Sequence, residues 1–200
     1  MRRILSGILI GLGILLILGA AGLLLHNRQE ADEAASVSVQ VLPQISEYME
    51  AVRETATLPP PETDPNEPPR EMPTAEIDGH LYVGVLTIPD IDYEVPVLSE
   101  CTLDLLRLGA CRFYGATYSG DLVICAHNYN RLYSSLAKLK PGDLVWFTDM
   151  DGLTWTYEVA DLETLSPTMV EEMNHSGYAL TFFTCTYGGK ARLTLRCVRS

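Results

Sequence analysis

The sequence predicts a mainly β domain, either a closed barrel or a sandwich, carried on a long apolar helix and a proline-rich stalk. Three observations predict it. From about residue 76 to the end, short runs rich in β-branched and aromatic residues alternate with turn residues. From Ile4 to Leu25 there are 22 residues without a charge and with one hydroxyl, Ser6. Between Pro59 and Pro73, seven of 15 residues are proline.

At about 1.5 Å per residue, the first run covers a bilayer core of roughly 30 Å. Arg2 and Arg3 precede it and Arg28 is the next charge, so the N-terminus is expected in the cytoplasm and the rest outside. A cleaved signal peptide is the competing reading. Against it, the run is long for a signal core, and Leu23, Leu24 and Leu25 follow the small residues Gly19–Gly22 without a small-x-small site. No second apolar span occurs, so a single pass is expected. Residues 1–27 are therefore read as cytoplasmic tip and transmembrane anchor. Residues 28–75 are read as a helical juxtamembrane segment, split by Pro43 into two short helical pieces, followed by the proline-rich linker. Proline at that density favours extended polyproline II, a spacer rather than a core; a docking ligand is the alternative.

Past Leu25 the chain holds 12 basic and 26 acidic residues, a net charge of −14. That excludes nucleic acid as a partner, and adhesion to anionic lipid through a basic patch. The acidity itself is read as solubility. The cysteines are Cys101, Cys111, Cys125, Cys185 and Cys197. The count is odd and there is no CxxC pair, so a structural zinc site is not expected. Cys101 and Cys111 are a candidate disulfide pair; otherwise all except Cys185 are read as buried inert thiols.

Within residues 76–200 the expected strands are Leu81–Ile88, Tyr93–Leu98 (Pro96 marking an edge or bulge), Leu122–Ala126, Asp143–Thr148, Thr154–Ala160, Ala179–Thr184 and Ala191–Val198. Asp149–Gly152 and Tyr187–Lys190 read as tight turns. Short helices are expected at Leu103–Leu108, Tyr133–Leu139 and Met169–Met173.

Two of these strands run into reactive side chains: Leu122–Ala126 into His127, and Ala179–Thr184 into Cys185. Arg192 follows Cys185 by seven residues across the second turn, so a hairpin would set the two side by side. A cysteine is only a few per cent thiolate at neutral pH, and a cationic neighbour raises that fraction. An imidazole can move the proton of an amine, and a guanidinium offers fixed donors to an oxyanion. The trio suits acyl transfer through a thioester. Singly, each residue also suits a structural place: a histidine at a strand end, a thiol among Phe182 and Phe183, an arginine that shares its face with Arg196.

The stretch Leu180-Thr-Phe-Phe-Thr-Cys185-Thr, then Arg192-Leu-Thr-Leu, resembles the active-site signature of the sortase family. Val123-Ile-Cys-Ala-His127-Asn resembles that family's histidine motif. Leu136-Ala-Lys-Leu-Lys-Pro-Gly-Asp-Leu-Val and Gly152-Leu-Thr-Trp-Thr-Tyr-Glu-Val resemble its connecting strands, and Leu86-Thr-Ile-Pro89 with Val95-Pro-Val its opening. The resemblance spans about residues 81–198 and implies a sortase-like closed β-barrel of about eight strands with short helices. It implies a Gram-positive cysteine transpeptidase in the cell membrane, with its catalytic domain extracellular. Such an enzyme cleaves a C-terminal sorting motif, often Leu-Pro-x-Thr-Gly-like, in secreted proteins. The acyl group then passes to an amine of peptidoglycan precursor or pilin. By the motif match, Cys185 is the nucleophile, His127 the acid/base and Arg192 the oxyanion donor, with Arg196 as rival arginine and Thr184 as a substrate contact. No cofactor and no metal are expected. Asp64-Pro65 is followed by Asn66 rather than an aromatic, which departs from the lid of pilus-building relatives, and no second span follows the domain. Papain-like enzymes place cysteine before histidine, and a Ser-His-Gly-Cys motif of L,D-transpeptidases is absent. The remaining rival is a membrane-anchored, non-enzymatic β-domain that binds a cell-wall component.

Overall fold

The computed structural model describes residues 2–55, 70–129 and 132–200. Most of the proline-rich linker, including Asp64-Pro65-Asn66, lies outside the described residues. Helix α1 (Arg2–Thr55) is a single helix of 54 residues. Its N-terminal part is long and apolar enough to cross a membrane, with a mean hydropathy of 2.8 over its most apolar window and none of that window buried.

The two helical pieces expected around Pro43 are not found: the helix runs through Pro43 without a break. Burial explains why. Val41, Ile45 and Met49, spaced four apart, form one buried face against the folded domain, while Pro43 sits on the exposed side. An interior proline costs a helix about 3 kcal/mol. Each large apolar side chain taken out of water returns about 1.5–3 kcal/mol, so three of them outweigh the proline.

The domain is a closed barrel. Its strands are β2 (His80–Ile88), β3 (Tyr93–Leu98), β4 (Ala110–Tyr114), β5 (Leu122–Ala126), β6 (Leu144–Asp149), β7 (Thr154–Leu165), β8 (Leu180–Cys185) and β9 (Arg192–Arg199). They are ordered β2-β3-β4-β5-β8-β9-β7-β6, and β6 pairs back onto β2 to close the ring of eight. A short strand, β1 (Ala75–Ile77), adds to the start of β2 through Asp78 and Gly79, both at positive φ, the turn geometry favoured in two-residue hairpins. Gly84 permits the closure. It sits at the irregularity of β2 with φ of 155°, and a Cβ there would lie 2.2 Å from the Thr148 carbonyl oxygen of β6.

The sequence expectations hold for seven strands; β1 and β4 are additional, and β7 extends to Leu165. The helices are α2 (Leu103–Leu108), α3 (Leu132–Leu136) and α4 (Val170–Asn174). The edge character expected of Pro96 is local, because β4 pairs only with Val97 and Leu98 of β3. The β6–β7 turn is organised by Asp149, which is fully buried. Its carboxylate accepts from Tyr118 Oη, Trp155 Nε1 and the Asp151 and Leu153 amides.

Alternation along the strands makes two apolar clusters, one on each side of the barrel wall. Leu122, Ile124 and Ala126 of β5, Leu180 and Phe182 of β8, and Leu193, Leu195 and Cys197 of β9 belong to the first, with Leu86, Phe147 and Tyr157. Val123, Cys125 and Phe183 point the other way, into a cluster shared with Val41, Ile45 and Met49 of α1. The face a residue takes on β5, β8 or β9 is thus fixed by its parity.

Candidate active site

Strands β5 and β8 are parallel neighbours, with Val123 opposite Thr181 and Ala126 opposite Thr184. The next residues in that register are His127 and Cys185. Strands β8 and β9 are antiparallel, and their last pair is Cys185 opposite Arg192. Three adjacent strand ends therefore put His127, Cys185 and Arg192 in one row, each about one strand spacing, roughly 4.8 Å, from the next at the backbone. Parity puts all three on the same face. His127 alternates with Ala126, Cys185 with Thr184 and Arg192 with Leu193, so each leaves the wall opposite the first apolar cluster.

The row is tied together from behind. Thr184 has no exposed surface, and its hydroxyl donates to the Ala126 carbonyl at 2.9 Å. The bond links the last residue before Cys185 to the last residue before His127. The side chain expected to touch substrate is thus committed within the wall. Asn128 Oδ1 accepts from the Tyr133 amide at 2.8 Å, which fixes the approach to α3.

The two arginines differ sharply. Arg192 is partly exposed and its Nη1 donates to the turn carbonyls of Gly189 and Ala191 at 3.3 and 3.2 Å. Arg196 is only 2% exposed. Its guanidinium donates to Glu163 Oε1 at 2.7 Å, to Thr181 Oγ1 at 2.9 Å, and to the carbonyls of Glu172 and Met173 at 2.8 and 3.3 Å. Four of the five N–H donors of Arg196 are thus spent on joining β7, β8 and α4.

His127 is half-buried, and its pKa lies below the usual imidazole value. Burial is the main cause, and the charges of Arg107 and Arg192 act in the same direction; Glu30 and Cys101 oppose it. The neutral imidazole is therefore favoured. A cleft of about 390 Å³ opens beside His127, walled by Val95, Leu106 and Tyr129 of the domain and by Ala35, Val39 and Leu42 of α1. Tyr129 tilts against the His127 ring at 5.1 Å and donates to Glu30 Oε2 at 3.4 Å. Beyond Cys185, the exposed Tyr187 meets Tyr133 edge-on at 5.3 Å. The sequence reading missed the Glu30–Tyr129 contact and the α1 wall. The small side chains Ala34, Ala35 and Ser38 on one helical stretch were the available signal.

A family model described as the sortase domain matches residues 86–200. The chain belongs to the sortase family. Members of that family are cysteine transpeptidases. Among curated sequences, Sortase A of Bacillus anthracis is 27% identical over 121 residues, which cover 58% of this chain and 57% of that protein. The match thus spans little more than half of that relative's length. Among solved structures, a Sortase D5 transpeptidase of Clostridium perfringens superposes with a TM-score of 0.59 at 20% identity, covering 82% of this chain and 99% of that one. Sortase C1 of Streptococcus agalactiae superposes with a TM-score of 0.53 at 27% identity, covering 62% and 70%. The barrel, the short helices and the long apolar N-terminal helix agree with the expectation from sequence.

Proposed function

We propose that this sortase is a single-pass membrane transpeptidase, N-terminus cytoplasmic, that works outside the cell on a C-terminal sorting motif of secreted proteins. The observation that carries the reading is the row His127–Cys185–Arg192 on one face of three paired strands.

In this reading the Cys185 thiol first passes its proton to the neutral His127 imidazole, and the resulting thiolate attacks the carbonyl carbon of the scissile peptide bond, in a Leu-Pro-x-Thr-Gly-like sequence. Arg192, whose hydrogen bonds to turn carbonyls are long and partly exposed, swings its donors to the oxyanion. His127, as imidazolium, gives its proton to the leaving amine nitrogen, and a thioester remains. An amine of peptidoglycan precursor or pilin then attacks the thioester. His127 takes a proton from that amine and Cys185 leaves as thiolate. Thr184 acts as a positioning residue through its bond to Ala126. The alternative, an anchored module that binds a cell-wall component, leaves the three aligned side chains without a use.

The test is mass spectrometry of the full chain in detergent, incubated with a Leu-Pro-x-Thr-Gly peptide library and a small amine. An acyl adduct on Cys185, released by the amine and absent in Cys185→Ala, supports the transpeptidase. A folded protein that takes up no peptide, yet is labelled at Cys185 by a thiol reagent, refutes these substrates.

A further inference from the structure

Three cysteines that the transfer reaction does not use meet on the active-site face. Cys111 and Cys125 are cross-strand partners on β4 and β5. Cys101, in the link between β3 and α2, places its Sγ 3.0 Å from that of Cys125. All three belong to the apolar cluster opposite the barrel interior, and Cys125 lies two residues before His127 on the same strand. Cys111 and Cys125 are buried, and Cys101 is partly buried. We propose that Cys101 and Cys125 are a redox modification site, forming a reversible disulfide that pins α2 to the strand ending at His127.

The geometry divides the labour. Cys101 is the thiol that solvent can reach. Hydrogen bonds from the Cys111 and Cys125 thiols stabilise its thiolate and hold its pKa well below the ordinary value, while those two neighbours are pushed up. An accessible, acidic thiol reacts first, and an adjacent buried thiol resolves it. With a low-molecular-weight disulfide RSSR as oxidant, the Cys101 thiolate attacks one sulfur. A mixed disulfide forms and RS⁻ leaves. The Cys125 thiol then loses its proton and attacks Cys101 Sγ, expelling the second RS⁻. Two protein thiols are oxidised by two electrons, one RSSR becomes two RSH, and the two protons end on the two RSH. Cys101 and Cys125 stand 24 residues apart in sequence, so the bond closes a loop that carries α2. Leu106 of α2 walls the cleft beside His127.

The sequence makes the test clean. Cleavage after lysine and arginine puts Cys101, Cys111 and Cys125 on separate peptides: residues 71–107, 108–112 and 113–131. The full chain in detergent is equilibrated with oxidised glutathione, alkylated, digested and mapped without reduction. The expected result is a link between 71–107 and 113–131 that dithiothreitol removes, with Cys185 outside the link, either alkylated or capped by glutathione. Unfolding followed by tryptophan fluorescence is expected at a higher temperature for the oxidised protein. That rise, taken as oxidised minus reduced protein of the same variant, is absent in Cys101→Ser. A dominant link from 71–107 to 108–112, or no link at any glutathione potential in a folded protein, overturns the proposal. Mapping the bond needs no substrate, so failure here is independent of the transpeptidase reading.

Discussion

Truncating the two arginines of β9 should give opposite signatures. Arg196 is 2% exposed and its guanidinium donates four hydrogen bonds, one of them to the Glu163 carboxylate at 2.7 Å. Arg196→Ala leaves Thr181 Oγ1 and two carbonyls without their donor and strands the carboxylate. Breaking a buried charged pair costs about 3–5 kcal/mol. Glu163 is 36% exposed, so water compensates part of the loss and the lower end, about 3 kcal/mol, applies. For a domain of this size that is on the order of 10 °C in Tm. Arg192→Ala removes two long, partly exposed bonds to turn carbonyls, worth under about 1 kcal/mol together. Its effect on acyl transfer should be far larger, about 10²–10³-fold, the usual loss when one oxyanion donor goes. The assay pairs tryptophan-detected unfolding with the rate of peptide acylation at Cys185. A wild-type acylation rate in Arg192→Ala would refute the assignment. So would an Arg196→Ala protein that unfolds at the wild-type temperature but no longer reacts.

Thr184→Val should remove the buried bond to the Ala126 carbonyl and leave that acceptor unpaired, costing about 1–3 kcal/mol, measurable in urea unfolding. Acylation should fall with it, since His127 and Cys185 both follow the bonded residues. Ile45→Ala should cost about 2–5 kcal/mol, because the side chain is fully buried; the readout is loss of protease protection of α1 in the full chain. Gly84→Ala should prevent closure of the barrel, since a methyl 2.2 Å from the Thr148 carbonyl oxygen forces β2 and β6 apart; a native circular dichroism spectrum and an unchanged Tm would count against this.

Most of the barrel was legible because its strands are short apolar runs bounded by Gly, Pro and Asp, and because β5, β8 and β9 end on Ala126, Cys185 and the Arg192 turn. The missed strands show the limits of that reading. Ala110–Tyr114 lacks a sustained alternation, and only its pairing with β3 and β5 makes it a strand. Ala75–Ile77 is three residues long, although Asp78-Gly79 was a usable hairpin signal. Pro43 misled because a local rule was applied where burial of Val41, Ile45 and Met49 decides. The proximity of Arg192 to Cys185 followed from a local hairpin. That of His127 did not, since it depends on the parallel register of β5 and β8, strands 58 residues apart at Ala126 and Thr184. The expectation of a substrate contact at Thr184 took no account of parity: in a strand whose Cys185 faces outward, Thr184 shares the inner face with Phe182 and is fully buried.

The placement of α1 makes the juxtamembrane helix part of the electrostatics of the site. Glu30 donates no proton there. It accepts from Tyr129, and its charge is the largest influence raising the pKa of His127 against burial, which lowers it more; Arg107 and Arg192 add smaller effects in the direction of burial. Removing the charge while keeping the shape, as in Glu30→Gln, should therefore lower the His127 pKa further. The sign for stability follows. A histidine whose folded pKa lies below its unfolded value of about 6.5 binds fewer protons folded than unfolded below that pH. Its contribution is present above pH 6.5 and is lost as the pH falls through the folded pKa. Wild-type protein should thus lose Tm between pH 7.5 and 5, and His127→Gln should lose less over the same window. Glu30→Gln should move the His127 titration, followed by imidazole proton resonances, to lower pH. A shift to higher pH, or none, would mean that the helix is not held against Tyr129 in solution, and the α1 wall of the cleft would go with it.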